Sequence, residues 1–397
     1  MDGPGVSELV QRLAEDLAER LGRSVEVDDR ALRPLGITAQ LGAIDQVRID
    51  AVLRRASGPE MVAHAESFGI RRATGPVRMP ADAGLGTLPR LCVPVRWAGE
   101  LYGYLWLIDA EPPLTDAEVA AAVDTAAEIG AALCADDRSA EARLDDDTRL
   151  VTGLLGTDPA DRAAARTAVI RQGRLAPDTP LAVLVARMEA GADATRRVAA
   201  ELRRGLPSGR LLVGCQPSAV VLVAHADSLS RSVQRLISSA AAHHGARVLG
   251  AGVGPTCGPD DDLAVASERA AFVARIAVAD PTRAGWARWS ELGALTAFCY
   301  LPWTSETVAL LHPGAPRLLA PELTTIRDTV LTYLELGGDT RAVTDALLIH
   351  RTTLYYRLDR AGELLGAGWQ TGPARLGLHL ALRLNDLMLR ERDLPVS

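Results

Sequence analysis

The sequence predicts a multidomain α+β protein that ends in an all-helical unit. Three observations carry this. The chain has 397 residues, enough for two to four domains at roughly 100–200 residues each. Hydrophobic residues make up 48% of it and charged residues 23%, a balance that excludes a disordered chain. Strand-like and helix-like runs alternate as far as Ala277, whereas only helical periodicity remains beyond Pro321.

The elements follow in order. Leu9, Leu13, Leu17 and Leu21 recur every four residues and predict an amphipathic helix. Arg90–Arg96 and Leu101–Ile108 read as strands of a hairpin turning at Trp97-Ala98-Gly99-Glu100. Alternation along the second strand puts Tyr102, Tyr104 and Trp106 on one face, so with Trp97 they are the expected border of an effector pocket. Thr115 and Glu118 form a capping box that opens a long Ala-rich helix to about Cys134. Residues 136–150 are dense in charge, from Asp136 and Asp137 through Asp145, Asp146 and Asp147 to Arg149, and are expected as a solvated helical connector.

A second unit opens near Pro180. Leu181–Ala186 is a buried-strand run and Gly191–Arg204 is helical. Arg210–Gly214 and Ala219–Ala224 are strands around Cys215-Gln216-Pro217-Ser218, then come helix Ser232–His244, strand Val248–Val253 and helix Asp262–Ala277. The order β-α-β-β-α-β-α is that of a split βαβ, ferredoxin-like sheet. A Pro-rich linker is expected over residues 296–321.

Several function classes fall away on composition. All 43 basic residues are Arg, so a P-loop lysine or a Schiff-base lysine is excluded. The longest apolar runs, such as Ala219–Ala224, are far short of the ~20 residues that span a bilayer, and no secretory leader is visible at Met1-Asp2-Gly3-Pro4. Five cysteines without a CxxC pair suggest neither disulfides nor a zinc site and point to a reducing, cytoplasmic setting. His243 and His244 are neighbours, so on a helix they are expected to point about 100° apart and not to share an ion. Asp260-Asp261-Asp262 is expected to cap a helix. No metal, cofactor or catalytic constellation is read from the chain.

The strongest constellation is C-terminal. Ile326, Val330 and Leu334 mark a helix stopped by Gly337-Gly338. Asp339 or Thr340 caps the next, whose apolar positions are Val343, Ala346 and Leu347, and Leu348-Ile349-His350 breaks it from the helix Arg351–Leu365. This is a helix-turn-helix. On its second helix Leu354, Leu358 and Ala361 face the core. Thr352, Thr353, Tyr356 and Arg360 are presented outward, flanked by His350, Arg351, Tyr355 and Arg357, as donors to phosphates and base edges of double-stranded DNA. Nine Arg oppose ten acids from Glu322 onward, so a local patch rather than net charge must attract the DNA.

Here a resemblance becomes specific. Thr329–Gly338, Leu348–Leu358 and Leu376–Leu384 resemble the C-terminal domain of PucR/CdaR-type transcriptional regulators over about 65 residues. One departure is Thr352, where that family usually has Asn; Asn can contact adenine bidentately and Thr cannot. The middle unit is similar to the GGDEF-like domain that often precedes this helix-turn-helix. Its central hairpin, Gly214-Cys215-Gln216-Pro217-Ser218, lacks the acidic signature that holds Mg²⁺. The N-terminal unit is similar to GAF sensor domains. The resemblance implies a GAF-like sensor (residues 1–135), a helical linker (136–179), a degenerate GGDEF-like domain (180–295), the Pro-rich linker (296–321) and a helix-turn-helix domain (322–392). It implies a non-enzymatic, cytoplasmic regulator that binds DNA as a homodimer or larger oligomer and answers to a small effector. Two other classes remain open: a nucleotide-binding enzyme using the glycine run Gly250-Ala251-Gly252-Val253-Gly254, and a sensor or scaffold that does not bind DNA.

Overall fold

The computed structural model describes residues 6–49, 58–176, 178–206, 209–259, 261–366 and 368–392. The chain is mixed α+β and divides into two compact units, Met1–Arg143 and Leu144–Ser397.

The first unit is built on an antiparallel sheet of β1 (Val25–Asp29), β2 (Pro34–Ile37), β3 (Val77–Met79), β4 (Arg90–Trp97) and β5 (Glu100–Ile108), in the order β2-β1-β5-β4-β3. The β4–β5 hairpin turns at Ala98 (φ 50°) and Gly99 (φ 87°), the two positive angles that suit the twist of the flanking strands. One sheet face carries Val25, Val27, Val93, Leu105 and Leu107 against α1 (Val6–Leu21) and the start of α3 (Asp116–Leu154). The buried stripe of α1 is Val10, Ala14, Leu17 and Ala18, one position round from the expected leucines. The other face carries Cys92, Tyr104 and Trp106 against α2 (Pro59–Ser67). The Thr115–Glu118 capping box is present: Glu118 Oε2 accepts from Thr115 N at 2.7 Å, and Thr115 Oγ1 from Glu118 N at 3.4 Å.

Helix α3 continues for 39 residues, well past Cys134, because nothing between Ala135 and Leu154 breaks it. Its charge-dense end is not simply solvated. Leu144, Leu150, Val151 and Leu154 are buried, and Asp147, fully buried, meets Arg203 Nε at 2.9 Å, Val213 N at 3.1 Å and the Arg174 guanidinium.

The second unit holds β6 (Leu181–Glu189), β7 (Leu211–Gln216), β8 (Ala219–His225), β9 (Arg247–Val253) and β10 (Trp286–Arg288), in the order β10-β9-β6-β8-β7. Strands β9-β6-β8-β7 are mutually antiparallel, the split βαβ arrangement read from the sequence. Helices α5 (Ala192–Gly205) and α6 (Arg231–His243) cover one face. The end of α3, α4 (Pro159–Arg171) and α7 (Leu263–Ala279) cover the other. Asp262 Oδ1 caps α7 through Ala264 N at 2.9 Å; Asp260 lies outside the described residues.

The glycine run has a packing cause. A Cβ at Gly250, Gly252 or Gly254 would collide with backbone atoms of α7, at Ala274 and Ala266. Alternate glycines therefore let α7 lie directly on β9. A dinucleotide loop would instead place its glycines after the strand, at the start of the helix.

Residues 296–321 are not an open linker. They carry α8 (Ser305–Leu311) and α9 (Ala315–Leu318), whose Val308, Ala315 and Leu318 are buried. Their prolines lie outside or at the start of helices, where a missing N–H costs nothing. These residues join the core formed by α7 with α10 (Thr324–Glu335), α11 (Thr340–Leu347), α12 (Arg351–Leu365) and α13 (Gly372–Arg392). Among the described residues no helix is long and apolar enough to cross a membrane.

Candidate nucleic-acid interface and ligand cleft

Helix α10 ends where Gly337 and Gly338 turn left-handed (φ 63° and 87°), and Gly338 N reaches Tyr333 O at 2.8 Å. Asp339 Oδ1 then caps α11, accepting from Arg341 N at 2.9 Å and Ala342 N at 3.1 Å. The turn into α12 passes through Leu348, left-handed at φ 52° and 91% exposed. His350 is the N-cap of α12; its Nδ1 lies 3.4 Å from Thr352 N and 2.9 Å from Thr352 Oγ1.

Leu354, Leu358 and Ala361 are buried as the periodicity requires, but Ala346 of α11 is exposed. The face of α12 opposite them exposes Thr352, Tyr355, Tyr356, Asp359, Arg360 and Glu363, while Thr353 and Arg357 sit half-buried at its edge. The three arginines differ in what they touch. Arg351 donates to the Tyr355 hydroxyl at 3.0 Å and lies 5.2 Å from its ring centroid. That hydrogen bond, with the Arg351 charge and a hydrogen bond with Thr340, pulls the Tyr355 pKa down. Arg360 is paired with Glu363. Arg357 turns inward and donates to Thr329 Oγ1 on α10 at 3.1 Å. Positive charge on the outer face is therefore concentrated in the first turn, at Arg351, where α12 also presents its amide end.

Residues 326–384 match the family model of the PucR C-terminal helix-turn-helix domain. This part of the chain is a PucR domain. Its α11 and α12 are the two helices of the motif, and the domain supports DNA binding and a role in transcriptional regulation. Comparison with curated proteins finds no match. Among solved structures, the chain is similar to a GAF domain/HD domain protein from Geobacter sulfurreducens, at 18% identity over 34% of this chain and 95% of that one, with a TM-score of 0.26. It is similar also to a regulator of polyketide synthase expression from Bifidobacterium adolescentis (19% identity, 65% and 95% coverage, TM-score 0.27). A third is the E. coli DhaR(N)–DhaL complex (12%, 57% and 91%, 0.23). None of these three is close enough to carry function to this chain.

In the first unit the four aromatic residues separate. Of these, only Trp106 lines a small cleft, with about 20 Å³ of enclosed space, whose other walls include Glu26, Asp28, Leu32, Met61 and Arg90. Tyr104, 1% exposed, packs 6.1 Å from the Trp106 ring without reaching the cleft. Tyr102 is on the opposite sheet face, because it is the extra residue where the β4–β5 register slips: Val95 faces Gly103 but Arg96 faces Leu101. It lies under Arg30, and a hydrogen bond with Cys134 together with partial burial pushes its hydroxyl up to about 12. Trp97 stands 45% exposed at the hairpin turn and is not part of the cleft.

The sequence reading missed the charged walls of this cleft. Glu26 and Asp28 are 3% and 2% exposed, on the side of β1 that pairs beside Trp106. Behind them Arg48, fully buried, brings Nη1 to 3.2 Å from Glu26 Oε2. Asp45 accepts from Arg90 Nη2 at 2.7 Å and from Leu88 N at 2.8 Å; burial pushes its carboxyl up, but Arg90 and these bonds prevail and hold it below the usual value. Asp28 has weaker support, a hydrogen bond with Trp106. Burial and then the Glu26 charge raise it well above the ordinary carboxylate range, against the pull of Arg48. Glu26 Oε1 and Arg90 Nε are buried without a hydrogen-bond partner among the described residues. The signal available in sequence was the spacing Glu26-Val27-Asp28, polar at alternate strand positions.

Proposed function

We propose that this protein is a DNA-binding transcriptional regulator whose N-terminal unit takes a small polar effector. The observation that carries the reading is the outer face of α12 within the PucR domain: Arg351, Thr352, Tyr355 and Tyr356 are exposed together at the amide end of the second helix. In helix-turn-helix docking, that end enters the major groove. Leu348, exposed beside it, suits apolar contact with a thymine methyl. Thr353 and Arg360 stay in the proposed interface as edge residues, with Arg360 held by Glu363, while Arg357, turned in to Thr329, supports the helix instead of contacting DNA.

The sensor assignment rests on the cleft of the first unit. Buried polar groups cost free energy when unpaired, so the orphaned Glu26 Oε1 and Arg90 Nε favour a ligand offering both a donor and an acceptor. We read residues 1–135 as GAF-like and 180–295 as a degenerate GGDEF-like domain without catalysis. The β7–β8 turn at Pro217-Ser218 brings no carboxylate for Mg²⁺. A homodimer in the cytoplasm completes the reading, since one helix-turn-helix covers few base pairs and specific sites normally pair two.

Selection of sequences bound by the full chain from a random DNA pool, with and without metabolite mixtures, tests the reading. An enriched, paired half-site whose recovery depends on one metabolite fraction is the expected result. No retention of DNA even at 50 mM salt would overturn it and leave the scaffold reading.

A further inference from the structure

We infer that Glu201, His243 and His244 form a binding site for a divalent transition-metal ion of the zinc class. Glu201 lies one turn before the end of α5; His243 is the last residue of α6, and His244 follows it as the cap, at φ −97° and ψ 15°. Their polar atoms converge on one point. His243 Nδ1 is 2.7 Å and His244 Nε2 is 2.9 Å from the same oxygen, Oε2 of Glu201. The two rings stack with centroids 4.7 Å apart and planes 18° from parallel.

Helical divergence alone does not keep these two ligand atoms apart. Neighbouring helical residues do diverge by about 100°. These two compensate by offering different nitrogens, one close to the backbone and one at the far edge of the ring. His244 has also left the helix, so its ring is not held in the stack by helical geometry and can turn toward a shared ion.

The donor set has the right chemistry. Two imidazole nitrogens and one carboxylate oxygen are a zinc-type set, and three protein ligands leave a fourth position for water. Zinc bonds of about 2.0–2.1 Å at the tetrahedral angle require ligand atoms about 3.3 Å apart. The three atoms here all lie within 4.8 Å of one another; the two contacts to the carboxylate need open by about half an ångström, and one ring must turn out of the stack, because nitrogen lone pairs lie in the ring planes and near-parallel planes do not meet at one ion. Binding turns each facing nitrogen from donor to acceptor; its proton leaves to solvent or is re-taken at the other ring nitrogen. Both α5 and α6 end at this place, and helix C-termini favour a cation. With side chains 19–27% exposed, the cluster is open enough to load and buried enough to hold its geometry.

An ion here would tie α5 to α6 on the outside of the β6–β9 sheet. It would be separate from both the DNA-facing helix and the Glu26–Asp28 cleft, so it stands whether or not the regulator reading holds.

The test uses the full chain, without added histidine tags, and zinc alone as the probe. Competition against a chromophoric chelator should show one equivalent of zinc per chain, with zinc raising the thermal midpoint by a few degrees. Glu201→Gln and His243→Gln should each weaken that binding at least about tenfold, a lower bound set by the losses seen when even supporting groups are removed. They should also abolish the thermal shift, while His64→Gln, in the other unit, leaves both unchanged. Circular dichroism of the zinc-free variants keeps a folding defect distinct from lost ligation. Absence of zinc uptake by the wild-type chain, or uptake unchanged in Glu201→Gln and His243→Gln, would overturn the inference.

Discussion

Arg351 and Arg357 lie on one helix and six residues apart, yet their replacement by Ala should have opposite consequences. Arg351 touches only the exposed Tyr355, so its charge is available to a phosphate. Each neutralised phosphate contributes about 0.9 to the slope of log affinity against log salt. Losing one such contact per bound chain should therefore weaken binding to any duplex by about fifteenfold at 50 mM salt and about fourfold at 200 mM, relative to a vanishing effect near 1 M. Its stability should change little. Arg357 spends its charge inside, on the hydroxyl of Thr329, which is 1% exposed. Its removal should cost about 1.5–3 kcal/mol of stability, the range for a hydrogen bond to a charged group, and leave the salt slope nearly intact. Fluorescence anisotropy on a random-sequence duplex across salt, beside urea unfolding of each variant, separates the two. The reasoning is refuted if Arg351→Ala keeps the wild-type slope, or if Arg357→Ala lowers the slope by a full contact without loss of stability.

Leu354→Ala, at a fully buried position, should cost about 2–5 kcal/mol in urea unfolding and lose DNA binding only through that destabilisation. Asp147→Ala should cost about 1.5–3 kcal/mol, because it removes the charged hydrogen bonds that Arg203, Arg174 and Val213 N make to one carboxylate while Arg174 keeps Asp146; an unchanged unfolding midpoint would contradict this. Asp28→Asn should stabilise the chain at neutral pH. The folded pKa of Asp28 is raised, so the wild type has its full stability below the ordinary aspartate value of about 3.9 and loses some as pH climbs through the raised value. Unfolding measured from acid to neutral pH should show the variant's advantage appear only on that climb, and an advantage that grows toward acid would reverse the sign and sink the explanation.

What could be read from the sequence was what is local. The stripe Leu354, Leu358 and Ala361, the Gly337-Gly338 stop and the Asp339 cap each act within a few residues, and all appear as expected. The strands of the split βαβ unit were legible for the same reason, since each is a continuous apolar run buried on both faces. The cleft was not legible, because it assembles from distant pairings. Glu26 sits opposite Trp106 across β1 and β5, and Arg90 reaches Asp45 from another strand. A strand reading Val-Glu-Val-Asp ordinarily turns its acids to water, and nothing nearby says that α2 will cover them. Tyr102 failed differently: a single extra residue in the hairpin reverses the face of everything beyond it, and period-two counting cannot see a bulge.

The arginines of α12 show why composition alone carries so little in this chain. With every basic residue an Arg, the side chains at 351, 357 and 360 look interchangeable. The fold gives one to an exposed phenol, one to a buried hydroxyl and one to a neighbouring acid. Only the first remains a free positive charge at the amide end of the helix, so recognition rests on fewer cations than the sequence displays. A face with one such charge and the donors Thr352, Tyr355 and Tyr356 binds weakly alone, which is the physical reason to expect two copies on one operator. Paired binding doubles the phosphate contacts and makes affinity depend on half-site spacing. Inserting five base pairs between the half-sites of a selected operator, about half a helical turn, should then cost most of the affinity, whereas single-site binding would be indifferent to it.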